Sequence, residues 1–444
     1  MKIHFIGIGG IGVSALARYY LKRGHIVSGS DLVETEITKA LKKEGAKISI
    51  GNHKALNVKS NTKLVIYTLA TEKNNPELKR AERLKVETKT YPQALGDLTK
   101  KYFTIAISGT HGKSTTSSMA AILLKEAGFD PTVLIGTKLK EFCDSNCRVG
   151  KSRYLVVEAD EYGGAFLNYW PKIIVLTNLE KEHLDYFKNE KNIFNTFKKY
   201  INHLRKDGFL ILNRDDKNIL KLKSCIKNPK FKIKNYSLKQ KSDVAKIKKV
   251  LKVPGIHNIS NALAVLNIAR ILRIPEKTTL KALSKYKGAW RRFEVIPSKI
   301  NNITYTLVSD YGHHPTEIKA TLQAAREKYK KKRIILVYQP HQYQRTKLLF
   351  KDFIKSFDQA DYLILNEIYG VAGREKGSLL SSKDLVKPIN KRWHNKKPVK
   401  FIKDQNDILK ELSKIIKRGD IVIVMGAGDI YNLTLQLLKK NKFQ

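Results

Sequence analysis

Residues 105–116 read IAISGTHGKSTT, and no other stretch narrows the possible folds as far. Residues 105–108 are mostly apolar and predict a buried strand, and the run after Ser114 predicts a helix. Between them Gly109 and Gly112 let backbone N–H groups converge on phosphate oxygens. Lys113 adds a point charge for outer phosphates, and Ser114 carries the hydroxyl that Mg²⁺ takes in such loops. The common phosphate-loop pattern is G-x-x-x-x-G-K-[ST], yet Ile107 stands here at the first glycine position. The cradle is therefore shorter. Gly109, Thr110, His111, Gly112, Lys113, Ser114 and Thr115 are its candidate nucleotide-binding residues.

A second strand–turn–helix opens the chain. KIHFIGIGGIGVSALA sets Gly7, Gly9 and Gly12 as G-x-G-x-x-G, with Gly10 inside the turn. Such a turn brings backbone close to a diphosphate at a helix N-terminus. Asp31 ends the next expected strand, where an acidic side chain can take a ribose hydroxyl. A nicotinamide-dependent dehydrogenase fits these residues, and so does a binder of the diphosphate of a UDP-sugar. The dehydrogenase leaves the loop at 109–115 without a task. The same opening mimics a signal peptide, but its four glycines favour strand, turn and helix.

Strand and helix signals alternate along the chain, which predicts an α/β fold of three domains. These are a Rossmann-like N-terminal domain over 1–102, a P-loop-type central ATP domain with a parallel sheet over 103–293, and a Rossmann-like C-terminal domain over 294–444. Residues 217–251 are lysine-rich, short of periodic signal, and read as hairpin and loop. C-terminal helices are expected over 315–330, 347–357 and 407–419. No apolar run reaches the ~20 residues that span a bilayer. Cys143, Cys147 and Cys225 give neither a disulfide framework nor zinc spacing, so a cytoplasmic protein is expected. The chain carries 85 basic and 40 acidic residues, a net charge of +45. Nucleic acid is the obvious partner for such charge. The lysines are spread along the whole chain, however, and no zinc finger, homeodomain or aromatic RNP pattern accompanies them. Solvated lysine faces are the favoured reading, with no nucleic-acid partner.

Further motifs sit beside expected strands. VVEADEYGGAF brings together Glu158, Asp160 and Glu161, and a carboxylate placed there suits Mg²⁺. TNLEKEHLDYF puts His183 near Glu180 and Asp185. RRFE at 291–294, SDYGHHPTEI at 309–318 and QPHQYQRT at 339–346 gather groups able to bind phosphate, ribose and carboxylate.

Taken in order, HFIGIGGIGVSALA, SGSD, SGTHGKSTT, EADE, TNLEKEHLDYF, PGIHNISNALA, RRFE, DYGHHPTEI, QPHQYQRT and GAGDI resemble the motifs of the Mur ligase family, above all its alanine-adding branch. The family's shortened G-T-x-G-K-[ST] loop accounts for Ile107. The resemblance implies three domains that hold UDP, ATP and the amino acid in turn. It implies an ATP- and Mg²⁺-dependent ligase acting on UDP-N-acetylmuramate and L-alanine. ATP would phosphorylate the lactyl carboxylate, and the amine of alanine would attack the acyl phosphate.

By motif, Lys113, His183, Arg292, His313 and His341 would be catalytic. ATP would meet the loop residues, with Asn261 beside adenine, Arg292 at the phosphates and Asp310 at the ribose. Ser114, Glu158 and His183 would hold the metal. Gly7, Gly9, Gly10, Gly12 and Asp31 would bind the UDP-sugar. Tyr311, His313, His341 and Arg345 would surround its muramyl-alanine end. Three places depart from the family pattern: Tyr162, Gly163 and Gly164 replace a commoner Ser-Asp-Gly, the stretch before NPE is poor in serine, and Gln342 stands where many relatives carry arginine. These touch substrate contacts rather than reaction class. The rival inside the family attaches a whole tripeptide in recycling, and GIGGIG favours the alanine branch. Outside the family, a nucleotide-dependent nucleic-acid-binding protein would leave the histidine motifs unexplained.

Overall fold

The computed structural model describes residues 1–180, 184–227, 229–371 and 380–440. Among these residues the strands form three sheets, and the chain divides into two compact units. One comprises Met1–Leu251 with Ile259–Lys287, the other Lys252–Asn258 with Gly288–Gln444.

The first unit opens with β1 (Lys2–Ile6), β2 (Ile26–Asp31), β3 (Lys47–Ile50), β4 (Leu64–Tyr67) and β5 (Glu87–Thr90). They form a parallel sheet in the order β3-β2-β1-β4-β5. The order reverses at β1, and a crevice opens at the strand C-termini where such a reversal occurs. The glycine turn leaves β1 at that place. β3 and β5 read KISI and ETKT and are largely exposed, so neither carried an apolar signal.

The second sheet contains β6 (Phe103–Ser108), β7 (Thr132–Leu139), β8 (Ser145–Arg148), β9 (Tyr154–Glu158), β10 (Ile173–Leu176), β11 (Phe209–Asn213) and β12 (Lys232–Tyr236). Its order is β12-β11-β10-β6-β9-β7-β8, and only the edge pair β7–β8 is antiparallel. One apolar cluster runs through both sheets, from Ile3, Phe5 and Leu16 to Ala106, Leu134 and Leu212. A buried amide adds to that packing. Asn146, on β8, donates to Ile11 O at 2.6 Å and Ser14 Oγ at 2.9 Å, and accepts from Arg18 Nη1 at 2.7 Å. All three partners lie on helix Ile11–Lys22, which follows the glycine turn.

Residues 217–251 correct the expectation of hairpin and loop. They form helix Lys217–Ser224, strand β12 and helix Lys241–Val250, and β12 pairs parallel to β11. Ile219, Leu222 and Ile247 point inward. The many lysines around them fill solvent positions and dilute the apolar period that marks a helix.

The second unit holds β13 (Glu294–Ile300), β14 (Ile303–Asp310), β15 (Ile334–Tyr338), β16 (Tyr362–Leu365), β17 (Val399–Phe401) and β18 (Ile421–Met425) in the order β13-β14-β18-β15-β16-β17. Only β13–β14 is antiparallel. Side chains alternate across the sheet: Ile334, Leu336 and Tyr338 enter one apolar cluster, and Ile335 and Val337 enter the other. Helices Pro315–Tyr329 and Gln405–Ile415 fall where periodicity put them. The helix expected over 347–357 is instead two short ones, Tyr343–Leu348 and Phe350–Ile354, parted at Leu349. Among the described residues no helix is long and apolar enough to cross a membrane.

Candidate active site

At the glycine turn Gly7 adopts φ +75°, and the N–H groups of Gly7 and Ile8 donate to Ser30 O at 2.9 and 3.1 Å. Gly10 begins helix Ile11–Lys22 without a side-chain cap, so the first helical N–H groups stay available to an anion. Asp31 accepts the Gly9 N–H at 2.8 Å. Its carboxylate therefore shapes the turn as well as facing the crevice end of β2. Beneath the turn lies Glu77, fully buried. It accepts from His4 Nε2 at 2.9 Å, Ser30 Oγ at 2.8 Å and Asn57 Nδ2 at 2.7 Å. Burial alone would push its carboxyl up, but these hydrogen bonds prevail and hold it at about 2.

The phosphate-type loop joins β6 to helix Lys113–Glu126. Gly109 and Gly112 have φ of +126° and +83°, a region that favours glycine. The loop is held from β10: Thr177 Oγ1 donates to His111 O at 2.6 Å, the His111 N–H donates to Asn178 Oδ1 at 2.7 Å, and Thr110 N–H donates to Asn178 O at 3.1 Å. Thr115 is buried in the first helical turn. A Cβ at Gly112 would sit 2.6 Å from Asn261 Oδ1, so Asn261 stands directly against the loop.

Lys113 Nζ donates to Gly109 O at 2.7 Å, Thr110 O at 3.3 Å and Glu161 Oε2 at 2.9 Å. Burial works to lower its pKa, but Glu161 and Asp160 outweigh burial and raise it, so the ammonium keeps its charge. Ser114 Oγ donates to Glu158 Oε2 at 3.0 Å. The other Glu158 oxygen accepts from Gly136 N–H at 2.8 Å and Ser117 Oγ at 3.3 Å. A hydroxyl and a carboxylate meeting at the end of a phosphate loop are the hard oxygen donors that Mg²⁺ prefers, so Ser114 and Glu158 fit that ion. His183 lies outside the described residues.

The remaining candidates gather within the second unit, around the C-terminal ends of β14 and β15. Asp310 accepts N–H groups from Gly312 at 2.7 Å and Phe293 at 2.8 Å. Burial raises its pKa. The Arg292 guanidinium lies 5.2 Å from the Tyr311 ring centre and 3.4 Å from Glu317 Oε1. Glu317 also accepts the His313 N–H at 2.9 Å, and His313 Nδ1 lies 3.2 Å from Tyr311 O. The His313 and His341 rings are 5.9 Å apart. His341 stacks on Tyr369, and its carbonyl accepts from Arg345 Nη1 at 2.9 Å. Arg292, Asp310, Tyr311, His313, His341 and Arg345 thus form one connected group. Gln342 is buried beside it, with φ +72° and its N–H on Tyr369 O at 2.9 Å.

Two glycine turns on separate, mainly parallel sheets, with a third sheet carrying arginine and histidine, match one family along nearly the whole chain. Family models described as Mur ligase family catalytic domain, Mur ligase middle domain, and Mur ligase glutamate ligase domain match residues 2–103, 107–269 and 291–428. The UDP-N-acetylmuramate–L-alanine ligase of Caldanaerobacter subterraneus subsp. tengcongensis is 40% identical, over 99% of this chain and 98% of its own length. The ligase of the same name from Clostridium novyi is 41% identical, over 97% and 96%. This chain belongs to the Mur ligase family. Among solved structures, UDP-N-acetylmuramate-alanine ligase from Thermotoga maritima superposes with a TM-score of 0.82 at 26% identity, covering 100% of this chain and 99% of that one. The murein peptide ligase of Psychrobacter arcticus shares the fold at a TM-score of 0.73 and 24% identity, over 99% and 98%. The family's three-domain α/β fold is the fold described above.

Several residues of this Mur ligase site escaped the sequence reading. Thr177 and Asn178 hold the phosphate loop, and their only mark was a polar pair at the end of an apolar strand. Glu317 takes both Arg292 and His313, and its signal was the four-residue spacing from His313 across a helix start. Arg291 is buried among the rings of Trp290, Tyr311 and Tyr431 and donates to Gly426 O. Nothing in RRFE separated it from Arg292.

Proposed function

We propose that this chain is an ATP-dependent ligase that joins L-alanine to the lactyl carboxylate of UDP-N-acetylmuramate in peptidoglycan precursor synthesis. The observation that carries the reading is a match of about 40% identity to ligases of that name over nearly the full length of both chains. The site residues are assigned by motif, and the described ones lie where such contacts could form. The turn at Gly7, Gly9, Gly10 and Gly12, with Asp31, is suited to the UDP diphosphate and ribose. Gly109, Thr110, His111, Gly112, Lys113, Ser114 and Thr115 take the ATP phosphates, Asn261 the adenine, Asp310 the ribose and Arg292 the outer phosphates. Ser114 and Glu158, with His183 by motif, would hold Mg²⁺, which would neutralise charge building on the transferring phosphoryl group.

Lys113 steadies that same charge from the loop side, as a preorganised cation in a site largely shut from water. The lactyl oxygen displaces ADP and becomes an acyl phosphate. The amine of alanine attacks the acyl carbon, and phosphate leaves. Tyr311, His313, His341 and Arg345 orient the alanine end. The reading keeps three domains at 1–102, 103–293 and 294–444, a cytoplasmic location and no nucleic-acid partner.

The test is ADP release with ATP, Mg²⁺ and UDP-N-acetylmuramate, run against each of the twenty amino acids and against a murein tripeptide. Release that requires UDP-N-acetylmuramate and peaks with L-alanine is the expected result. Strong turnover with ATP alone would sink the ligase reading, and turnover with the tripeptide but not alanine would move the chain to the recycling branch.

A further inference from the structure

Tyr91 belongs to no motif used so far. It is the first residue of helix Tyr91–Lys101, whose N-cap is Thr90. Its ring lies on the glycine turn. A Cβ at Gly12 would stand 2.8 Å from Tyr91 Oη and 2.9 Å from its Cζ. The third glycine of the fingerprint is therefore spent on admitting this ring to the first turn of helix Ile11–Lys22. That turn is the one whose N–H groups lack a capping side chain. Tyr91 is half-buried, and among the described residues its hydroxyl has no hydrogen-bond partner and is not enclosed, so it is open to a ligand.

We propose that the Tyr91 hydroxyl is a substrate-binding group, donating a hydrogen bond to an anionic oxygen of the UDP-sugar. The assignment rests on the ligase reading above. The hydroxyl sits where the uncapped helix end already favours negative charge. It also feels Glu158 and Asp160, the carboxylates beside the phosphate loop. It is thus near both the glycine turn proposed for the diphosphate and the carboxylates beside the phosphate loop. Burial, and then those two carboxylates, raise its pKa, so it keeps the proton it would donate. A neutral donor suits this place because it adds no charge beside Lys113 and its neighbouring carboxylates. The shared chemistry is an anionic oxygen, and the diphosphate and the carboxylate are its two sources.

The test is Tyr91→Phe, which removes one oxygen and keeps the ring against Gly12. Binding of UDP-N-acetylmuramate and of UDP alone is measured by calorimetry, with steady-state kinetics and thermal melting alongside. The expected result is a rise of about tenfold or more in Kd and KM for UDP-N-acetylmuramate. KM for ATP and alanine and the melting temperature should be unchanged. Weaker UDP binding as well would assign the bond to the diphosphate, and unchanged UDP binding would assign it to the carboxylate. Unchanged affinity for UDP-N-acetylmuramate, or a loss that appears only with a lowered melting temperature, overturns the assignment. If the unsubstituted protein itself neither binds UDP-N-acetylmuramate nor releases ADP with it, the ligase reading falls instead, so the two failures are distinct.

Discussion

Lys113 shows how far a single residue could be read from sequence. Its place after a strand, between two glycines and a helix, announced a phosphate contact. Its ties to Gly109 O, Thr110 O and Glu161 could not be read, because Glu161 comes from a loop forty-eight residues away. Lys113→Ala is expected to lower the ADP-release rate by about a hundredfold or more, the usual effect of removing one preorganised group at a transferring charge. UDP-sugar binding should survive, since Gly7–Gly12 lies on another sheet, and calorimetry alongside the rate assay checks both halves. Arg345 is the matching case at the proposed amino-acid end. A guanidinium grips a carboxylate through its planar fork, which an ammonium lacks. Arg345→Lys should raise KM for alanine by about tenfold, roughly 1.4 kcal/mol, with little change for ATP. A shift in the ATP value instead would remove Arg345 from the alanine site.

Among elements, several strands with unbroken apolar runs were legible, whereas polar edge strands and lysine-rich helices were missed. β6, β10, β15 and β18 are nearly all buried, and each was visible as an apolar run. β3, β5 and β12 are edge or near-edge pieces with polar sequences, held mainly by backbone pairing, which leaves no trace in side-chain pattern. Helix Lys217–Ser224 had a start signal that its lysines obscured. Asp216 accepts the Ile219 N–H at 2.8 Å as N-cap, and its other oxygen accepts the Leu179 N–H at 3.1 Å. Asp216→Ala removes both bonds. A loss of about 1–2 kcal/mol in unfolding free energy is expected, measured by urea denaturation at neutral pH. No change there would mean that the cap contributes nothing to the fold.

On the scale of the molecule, stability should carry an acid limb set by Glu77. Its folded value of about 2 lies below the ordinary 4.5. The carboxylate form is therefore favoured by folding. That contribution is complete above about pH 4.5 and is lost as pH falls toward 2, amounting to about 3 kcal/mol in all. Glu77→Gln should be less stable than the parent at pH 7, and the gap should close as both are titrated down to pH 2. Equal melting temperatures at pH 7 would show that His4, Ser30 and Asn57 do not need the charge. The amide of Asn146 bears on a different matter, the modularity of the chain. Its three partners Ile11, Ser14 and Arg18 belong to the N-terminal sheet's own helix, while Asn146 comes from the β7–β8 hairpin of the second sheet. A graft that exchanged residues 1–102 for those of a relative would cut this joint between donor and host. Such a hybrid should assemble only when the incoming helix offers a hydroxyl and a guanidinium in the same places, so the two sheets are inherited as a matched pair rather than as interchangeable parts.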